Sequence, residues 1–313
     1  MSQQIKARRI VVLGKIEIAY GTDAVPTGAA NAILVSNPKL TPMEADRAER
    51  SVVRPYMGNA ESIPVGVRVK FEAEVELASS GTAGMAPGWG PLLRACGFAE
   101  TITAATKVEY TPVSDAHESV SMYVNMDGVQ HKLLGARGTV SFDWTAGKLP
   151  MLKFQFTGVY GGISDAALPT VQYTPFQTPL PVDAVSVASL SLHGYSPVMQ
   201  SLSVDIANSV VHRSLPGGSE SVVITDRKPS GSIVVEATRL ADKDWYSLAK
   251  SAVTGALTMV HGKTAGKIIE IAAPAVQVGA PDQSESDGIL MLTLPLTFVP
   301  GAAGNDEFKL IVR

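Results

Sequence analysis

The chain has 313 residues, 45% of them hydrophobic and only 18% charged, with a formal net charge of −3. That length fits two domains of ordinary size and a full core without staples. The composition excludes a disordered chain, and the lack of a basic balance excludes a surface that grips nucleic acid.

Charge content is below the roughly 25% of an ordinary soluble domain, which predicts surface covered by partner chains. Cys96 is the only cysteine, so no intrachain disulfide and no all-thiolate metal site can form. Lys15 and Glu17 interrupt the apolar N-terminal stretch, against a secretory signal. The apolar run Ile289–Phe298 is too short to span a bilayer and contains Pro295. The reading is a protein made in a reducing cytoplasm, with no membrane partner.

In chain order, Leu40–Val65 is read first, as a long polar loop holding Glu44, Asp46, Arg47, Glu49, Arg50 and Arg54. Loops of that length are usually functional or disordered. Its interleaved acid and base suit a salt-bridged contact with another chain. Val67 to Leu77 then alternates strictly: Val67, Val69, Phe71, Ala73, Val75 and Leu77 on one face, Arg68, Lys70, Glu72, Glu74 and Glu76 on the other. That is a strand with one face buried. Trp89–Phe98 is a short helix, with Pro91 in its first turn, Gly97 at its stop, and Trp89, Leu92 and Leu93 as core anchors. Strands are predicted at 119–125, 138–144, 151–159, 201–208, 221–225, 231–240 and 289–298, with shorter ones at 267–271 and 275–278. Ser164–Ala188 carries Pro169, Pro175, Pro179 and Pro181 and reads as an extended connector. Its Tyr173 and Phe176 predict that it lies against the body. Asp242–Val253 is a second helix, capped by Asp242 and anchored by Trp245 and Leu248.

The order of elements repeats. Polar loop, strand, tryptophan-bearing helix and hairpin occur once before the connector and once after it. The expected division is 1–163, a connector at 164–188, and 189–313.

Catalytic motifs fail. The five histidines are scattered and none forms HExxH. His261-Gly262-Lys263-Thr264 resembles the end of a phosphate loop, but Leu257 stands where the motif needs its first glycine. A turn between strands is the better reading. Glu72, Glu74 and Glu76 have the spacing to share a cation, yet a solvated strand face explains them as well. Neither an enzyme nor a cofactor is expected.

Two stretches resemble a known family. Tyr20-Gly21-Thr22-Asp23-Ala24-Val25-Pro26-Thr27 with Asn31-Ala32-Ile33-Leu34, and Ser79–Gly84 with Pro87-Gly88-Trp89-Gly90-Pro91-Leu92-Leu93-Arg94-Ala95-Cys96-Gly97-Phe98, are similar to the tail tube (major tail) proteins of long-tailed, non-contractile bacteriophages. The likeness is clearest over 15–100, weaker to 160, and beyond that lies in the order of elements. It implies a mainly β fold, a β-sandwich or partly closed barrel with one flanking short helix, and the repeat of elements makes two such domains in tandem. It further implies self-assembly into stacked rings forming the hollow tail tube of the virion, put together in the host bacterial cytoplasm. The expected partners are further copies of the chain, the tape-measure protein, and the initiator and terminator proteins. Double-stranded DNA would pass without being bound. Two domains per chain predict trimeric rings with pseudo-sixfold symmetry, since six single-domain subunits make the family's usual ring.

On that reading Glu72, Glu74 and Glu76 line the lumen, where carboxylates repel phosphates, or they face outward. The loop 40–65 becomes a ring-stacking contact, with 198–218 as its equivalent. The alternatives are a tube subunit of a DNA-free injection particle and a two-domain binding or adhesin module. The latter would show aromatic residues clustered at loop ends, whereas aromatics are only 6% of the chain.

Overall fold

A computed structural model describes residues 4–313. Among them are nineteen strands and three short helices. In chain order they are β1 (Ile10–Ile16), α1 (Gly28–Asn31), β2 (Ala32–Ile33), β3 (Ser36–Glu49), β4 (Ser62–Glu76), α2 (Gly90–Ala95), β5 (Phe98–Thr103), β6 (Lys107–Pro112), β7 (Val120–Met126), β8 (Val129–Thr145) and β9 (Met151–Asp165). After the connector come β10 (Val187–Leu192), β11 (Met199–Asp205), β12 (Asn208–Arg213), β13 (Ser221–Arg227), β14 (Ser230–Glu236), α3 (Trp245–Ser251), β15 (Thr254–His261), β16 (Ile269–Val278), β17 (Asp282–Ser286), β18 (Ile289–Phe298) and β19 (Lys309–Val312).

The fold is mainly β, as expected. All strands but β12 and β13 join one branched antiparallel sheet, which does not close into a barrel. Its backbone is a run of eight strands, β3-β4-β9-β8-β11-β14-β18-β17. Long strands change partner along their length. The first half of β8 pairs with β7 and its second half with β11. Likewise β16 pairs with β19 over Ile269–Ala272 and with β18 over Val276–Val278. Pro274 lies between those two ladders, which is how proline fits inside a long strand.

Alternation dictates the layers. Val69, Phe71, Ala73 and Val75 of β4 are buried, with Phe154 and Phe156 of β9 and Val140, Phe142 and Trp144 of β8. Across the chain, Ile233, Val235, Leu292, Leu294 and Leu296 join the same continuous core. Trp89, Leu92, Leu93 and Trp245 are fully buried, and Leu248 packs partly buried against that core. The Trp89 indole donates to the Ala78 carbonyl at 2.8 Å, so α2 is pinned to the end of β4.

Several elements differ from expectation. Residues 40–65 are not a loop. They form the distal part of a long hairpin, β3–β4, with a turn of only 50–61. A cross-strand ladder of charges holds it: Glu44 on Arg68 and Lys70, Arg47 on Ser62, and Arg50 on Glu61. The second helix starts later than predicted, because Asp244 rather than Asp242 caps it, accepting from the Ser247 amide at 2.9 Å. The predicted strands 267–271 and 275–278 are one strand, β16. The connector packs as expected against the body, with Phe176 on the core and Tyr173 edge-on to it at 6.3 Å.

Candidate self-assembly site

The eight-stranded run has two faces. One is the core. The other is polar and half-exposed: Glu72, Glu74 and Glu76 on β4, Gln155 and Thr157 on β9, Thr139 and Ser141 on β8, Ser201 and Ser203 on β11, Ser230 and Ser232 on β14, Thr293 and Thr297 on β18. Short hydroxylated side chains dominate it toward β18.

The cations on β3, β4 and β9 that share this face are each held by a carboxylate. Lys39 meets Glu72 at 3.3 Å, Arg68 meets Glu44 at 2.7 Å, Lys70 meets Glu44 at 2.8 Å, and Lys153 meets Asp143 at 2.8 Å. Glu74 accepts from the Asn37 amide at 2.7 Å. The acidic stripe is therefore partly neutralised, which alternation alone could not reveal. The ion-pair partners come from β3, read from sequence as loop. Burial pulls the Asp143 carboxyl up, but hydrogen bonds from Lys153 and Thr145 outweigh it and leave its pKa below the usual range.

The β3–β4 hairpin projects beyond the body as an arm. Glu44, Asp46, Arg47, Glu49 and Arg50 stand on its stem or at the start of its turn, and Arg54 is in the turn. The turn exposes Val53, Tyr56 and Met57, with Val53 and Met57 as open as in a free peptide.

Hydrogen bonds from Lys70 and then Arg68 hold the Glu44 carboxyl below its ordinary pKa, and Arg68 does the same for Asp46. A carboxylate with a lowered folded pKa stabilises fully at neutral pH and loses that contribution as pH falls below about 4. Acidification from pH 7 to about 3 should therefore loosen the arm first. Hydrogen exchange at 39–49 and 62–70 should rise several-fold while β14 and β18 stay protected. Equal protection at both pH values would show that the ladder does not hold the arm.

Beside Tyr20, Gly21 and Asp23, which belong to the first resembling stretch, lies a buried anchor. Glu17, 8% exposed, takes the Gly21 amide and Ser119 hydroxyl on one oxygen, and the Gly135 amide and Ser121 hydroxyl on the other, all within 2.7 Å. The Tyr20 ring lies under the Arg137 guanidinium, 4.7 Å from its centroid, and its hydroxyl accepts from the Val222 amide of β13. Gly135 has φ +58 and a Cβ there would strike the Tyr20 ring. Asp23 accepts from the Tyr123 hydroxyl at 2.6 Å and from Lys132 at 3.1 Å. This cluster ties the N-terminal segment to β7 and β8 and, through Tyr20, to the β12–β13 hairpin. Its role is scaffolding. The sequence showed Glu17 only as a break in the apolar stretch and gave no sign of Arg137, because most of their partners are remote in the chain.

Among the described residues, no group of three or more His, Cys, Asp or Glu is placed to hold a metal. Among the same residues, no helix is long and apolar enough to cross a membrane. The described residues thus form an open antiparallel sheet with unpaired edge strands, a projecting arm and a charge-paired polar face, features that suit a structural protein. The chain belongs to the phage tail tube protein family, whose model matches residues 7–299. It is a structural virion protein of that family, which is not a family of enzymes. A search of curated proteins finds no match.

Proposed function

We propose that the chain carries two fused tube units and that three copies close into a ring with pseudo-sixfold symmetry. Stacked rings form the hollow tail tube that delivers phage DNA. The observation that carries this reading is the strand order itself. The run β3-β4-β9-β8 is followed by β11-β14-β18-β17, joined edge to edge through β8–β11. Two such sets sit in one chain, so three chains supply the six that the family's ring uses. The polar face lines the bore, with Glu72, Glu74 and Glu76 toward passing phosphates. Assembly takes place in the host cytoplasm on the tape-measure protein, between an initiator and a terminator complex.

Stacking uses the two ends of the sheet. Arg68, Val159 and Leu134 pair in register toward the arm end, and Glu76, Met151 and Asp143 toward the other. The turn 50–61 lies at the first end. At the opposite end, Ala146, Val182, Val187, Leu190, Pro197 and Met199 line a groove of about 460 Å³, mostly apolar. A copy displaced along the strand direction brings the arm tip of one ring to this groove in the next. Repeating that heterologous contact builds an open tube.

Electron microscopy of the concentrated protein, with ring averages and mass per ring, tests the reading. Threefold rings of three chains are expected, and rings of six chains overturn the fused-unit reading. The double variant Val53→Asp/Met57→Asp should give folded protein and isolated rings without tubes. Normal tubes from that variant would remove the arm tip from the stacking contact.

A further inference from the structure

The proposed ring leaves open which strands meet between copies, and the chain holds a template for that contact. The two four-stranded sets share one register. In the first, Lys39, Leu40 and Thr41 of β3 lie opposite Glu72, Phe71 and Lys70 of β4. In the second, Ser201, Leu202 and Ser203 of β11 lie opposite Val234, Ile233 and Ser232 of β14. Each residue of the second set is 162 positions after its counterpart (201 minus 39, 234 minus 72). The correspondence continues outward. Ala73 meets Phe154, which meets Val140, just as Val235 meets Leu292, which meets Gln283. Phe142 on Leu152 matches Glu285 on Leu290 in the same way. So β8 corresponds to β17, and β3 corresponds to β11.

Within the chain the last strand of the first set pairs with the first strand of the second. Asp143 lies opposite Ser203 and Phe142 opposite Val204. The equivalent edges at the two ends of the run, β17 and β3, each have one partner and one open side. Both are guarded by polar residues, as open edges in soluble proteins are: Asp282, Gln283, Ser284 and Glu285 on β17, Lys39 and Glu44 on β3.

The shared offset also fixes the length of the insert between the paired strands. Twenty-eight residues separate Thr41 from Lys70, and the same number separates Ser203 from Ser232 (positions 42–69 and 204–231). In the second set this insert is the β12–β13 hairpin, which covers the end of α2. Asn208 donates to the Cys96 carbonyl at 2.7 Å, and Ile224 lies beside Gly97, which is buried. In the first set the insert is the β3–β4 arm. The end of α3, the matching place in the second set, is uncovered, with Val253 56% exposed.

We infer that β17 of one copy pairs antiparallel with β3 of the next, and that the stem of that β3–β4 arm covers the end of the first copy's α3. The contact reproduces β8–β11 and the β12–β13 cover between molecules. The register follows from the counterparts: Thr41 opposite Ser286, and Pro42 opposite Glu285. The occupant of each edge is a second copy of this chain, because only such a copy presents the complementary edge in the same register. The inference rests on the ring reading and adds its strands and alignment.

Paired cysteines test it in the full chain. Opposite residues in an antiparallel ladder alternate between hydrogen-bonded and non-hydrogen-bonded pairs. One of Thr41→Cys/Ser286→Cys and Pro42→Cys/Glu285→Cys therefore places its Cβ atoms within disulfide reach. Cys96 is fully buried and stays out of the exchange. Each variant is assembled, checked for tubes by electron microscopy, oxidised and run without reductant. At least one pair should give dimers and a circular trimer, at least ~10-fold above either single-cysteine chain, reversed by reductant. Tubes that form from both pairs without covalent oligomers overturn the strand assignment while leaving the tube reading intact. Failure of the unmodified chain to form rings or tubes counts instead against the tube reading. Should both cysteine pairs block assembly, Ser284→Pro decides: folded monomers without rings support the β17 edge, and normal rings overturn it.

Discussion

Replacing Glu72, Glu74 and Glu76 together by lysine should give virions with full-length tails that fail to release their DNA. The three side chains share the polar face of β4, opposite the buried Val69, Phe71, Ala73 and Val75. On the proposed placement of this face in the bore, the change adds about six positive units per chain beside cations on β3, β4 and β9 that are now bound to carboxylates. Cations along a duplex release its counterions, and ~6–10 such contacts alter affinity by about 10³–10⁵ between 50 and 200 mM salt. Delivery should fall by at least ~100-fold and recover partly as salt is raised. The isosteric triple glutamine variant, which removes charge without adding cations, should deliver normally. Lys39 would lose Glu72, so melting temperature is the control for folding. Unchanged infectivity with intact tails would place this face on the outside of the tube.

Period-two patterning made β4 and its buried side legible from sequence, and the same pattern marked β18 to the residue. It failed on β3. Ser36–Glu49 contains Pro38 and Pro42 and no apolar alternation, because β3 is an edge strand half of which leaves the body. Its order comes from cross-strand ion pairs, which are invisible until the partner strand is known. β17 was missed for the same reason: Asp282–Ser286 is entirely polar and buries no face. Other strands escaped as well, among them β1, β5, β6, β10 and β19, and even β15, whose Leu257 and Met259 are buried. Short strands give period-two patterning too few residues to stand out.

The repeat was visible only as an order of elements. The offset between counterparts falls from 162 in β3 and β4 (201 minus 39) to 143 in β8 (283 minus 140) and 138 in β9 (292 minus 154), because the segments between these strands differ in length. A constant spacing emerges within paired strands, where register is set by the ladder and not by loop length. The helix anchors were readable because tryptophan at a helix start has few roles other than packing. The Glu17 anchor was not, since a lone glutamate beside an apolar run looks the same whether it is solvated or buried.

That anchor gives the second large effect. Glu17→Ala should cost about 3 kcal/mol or more and abolish assembly at 37 °C. The carboxylate accepts four hydrogen bonds, from the amides of Gly21 and Gly135 and the hydroxyls of Ser119 and Ser121. Bonds to a charged acceptor contribute about 1.5–3 kcal/mol each, and a buried donor left without a partner costs about 1–3 kcal/mol. The serines can rotate to water or to carbonyl groups, but the two amides are fixed by the backbone, which sets the lower bound. Glu17→Gln should be intermediate, since one amide end turns an N–H toward two donors. The damage should spread along defined contacts. Tyr20 sits three residues on, under Arg137, and its hydroxyl meets the Val222 amide of β13. Hydrogen exchange should therefore rise in β13 before it rises in β4 or β18. Gly135→Ala, which drives a methyl group into the Tyr20 ring, should reproduce the same pattern without touching the carboxylate. A loss of stability spread evenly over the sheet, with β13 no more exposed than β18, would show that the N-terminal motif serves its own strand and does not hold the second hairpin in place.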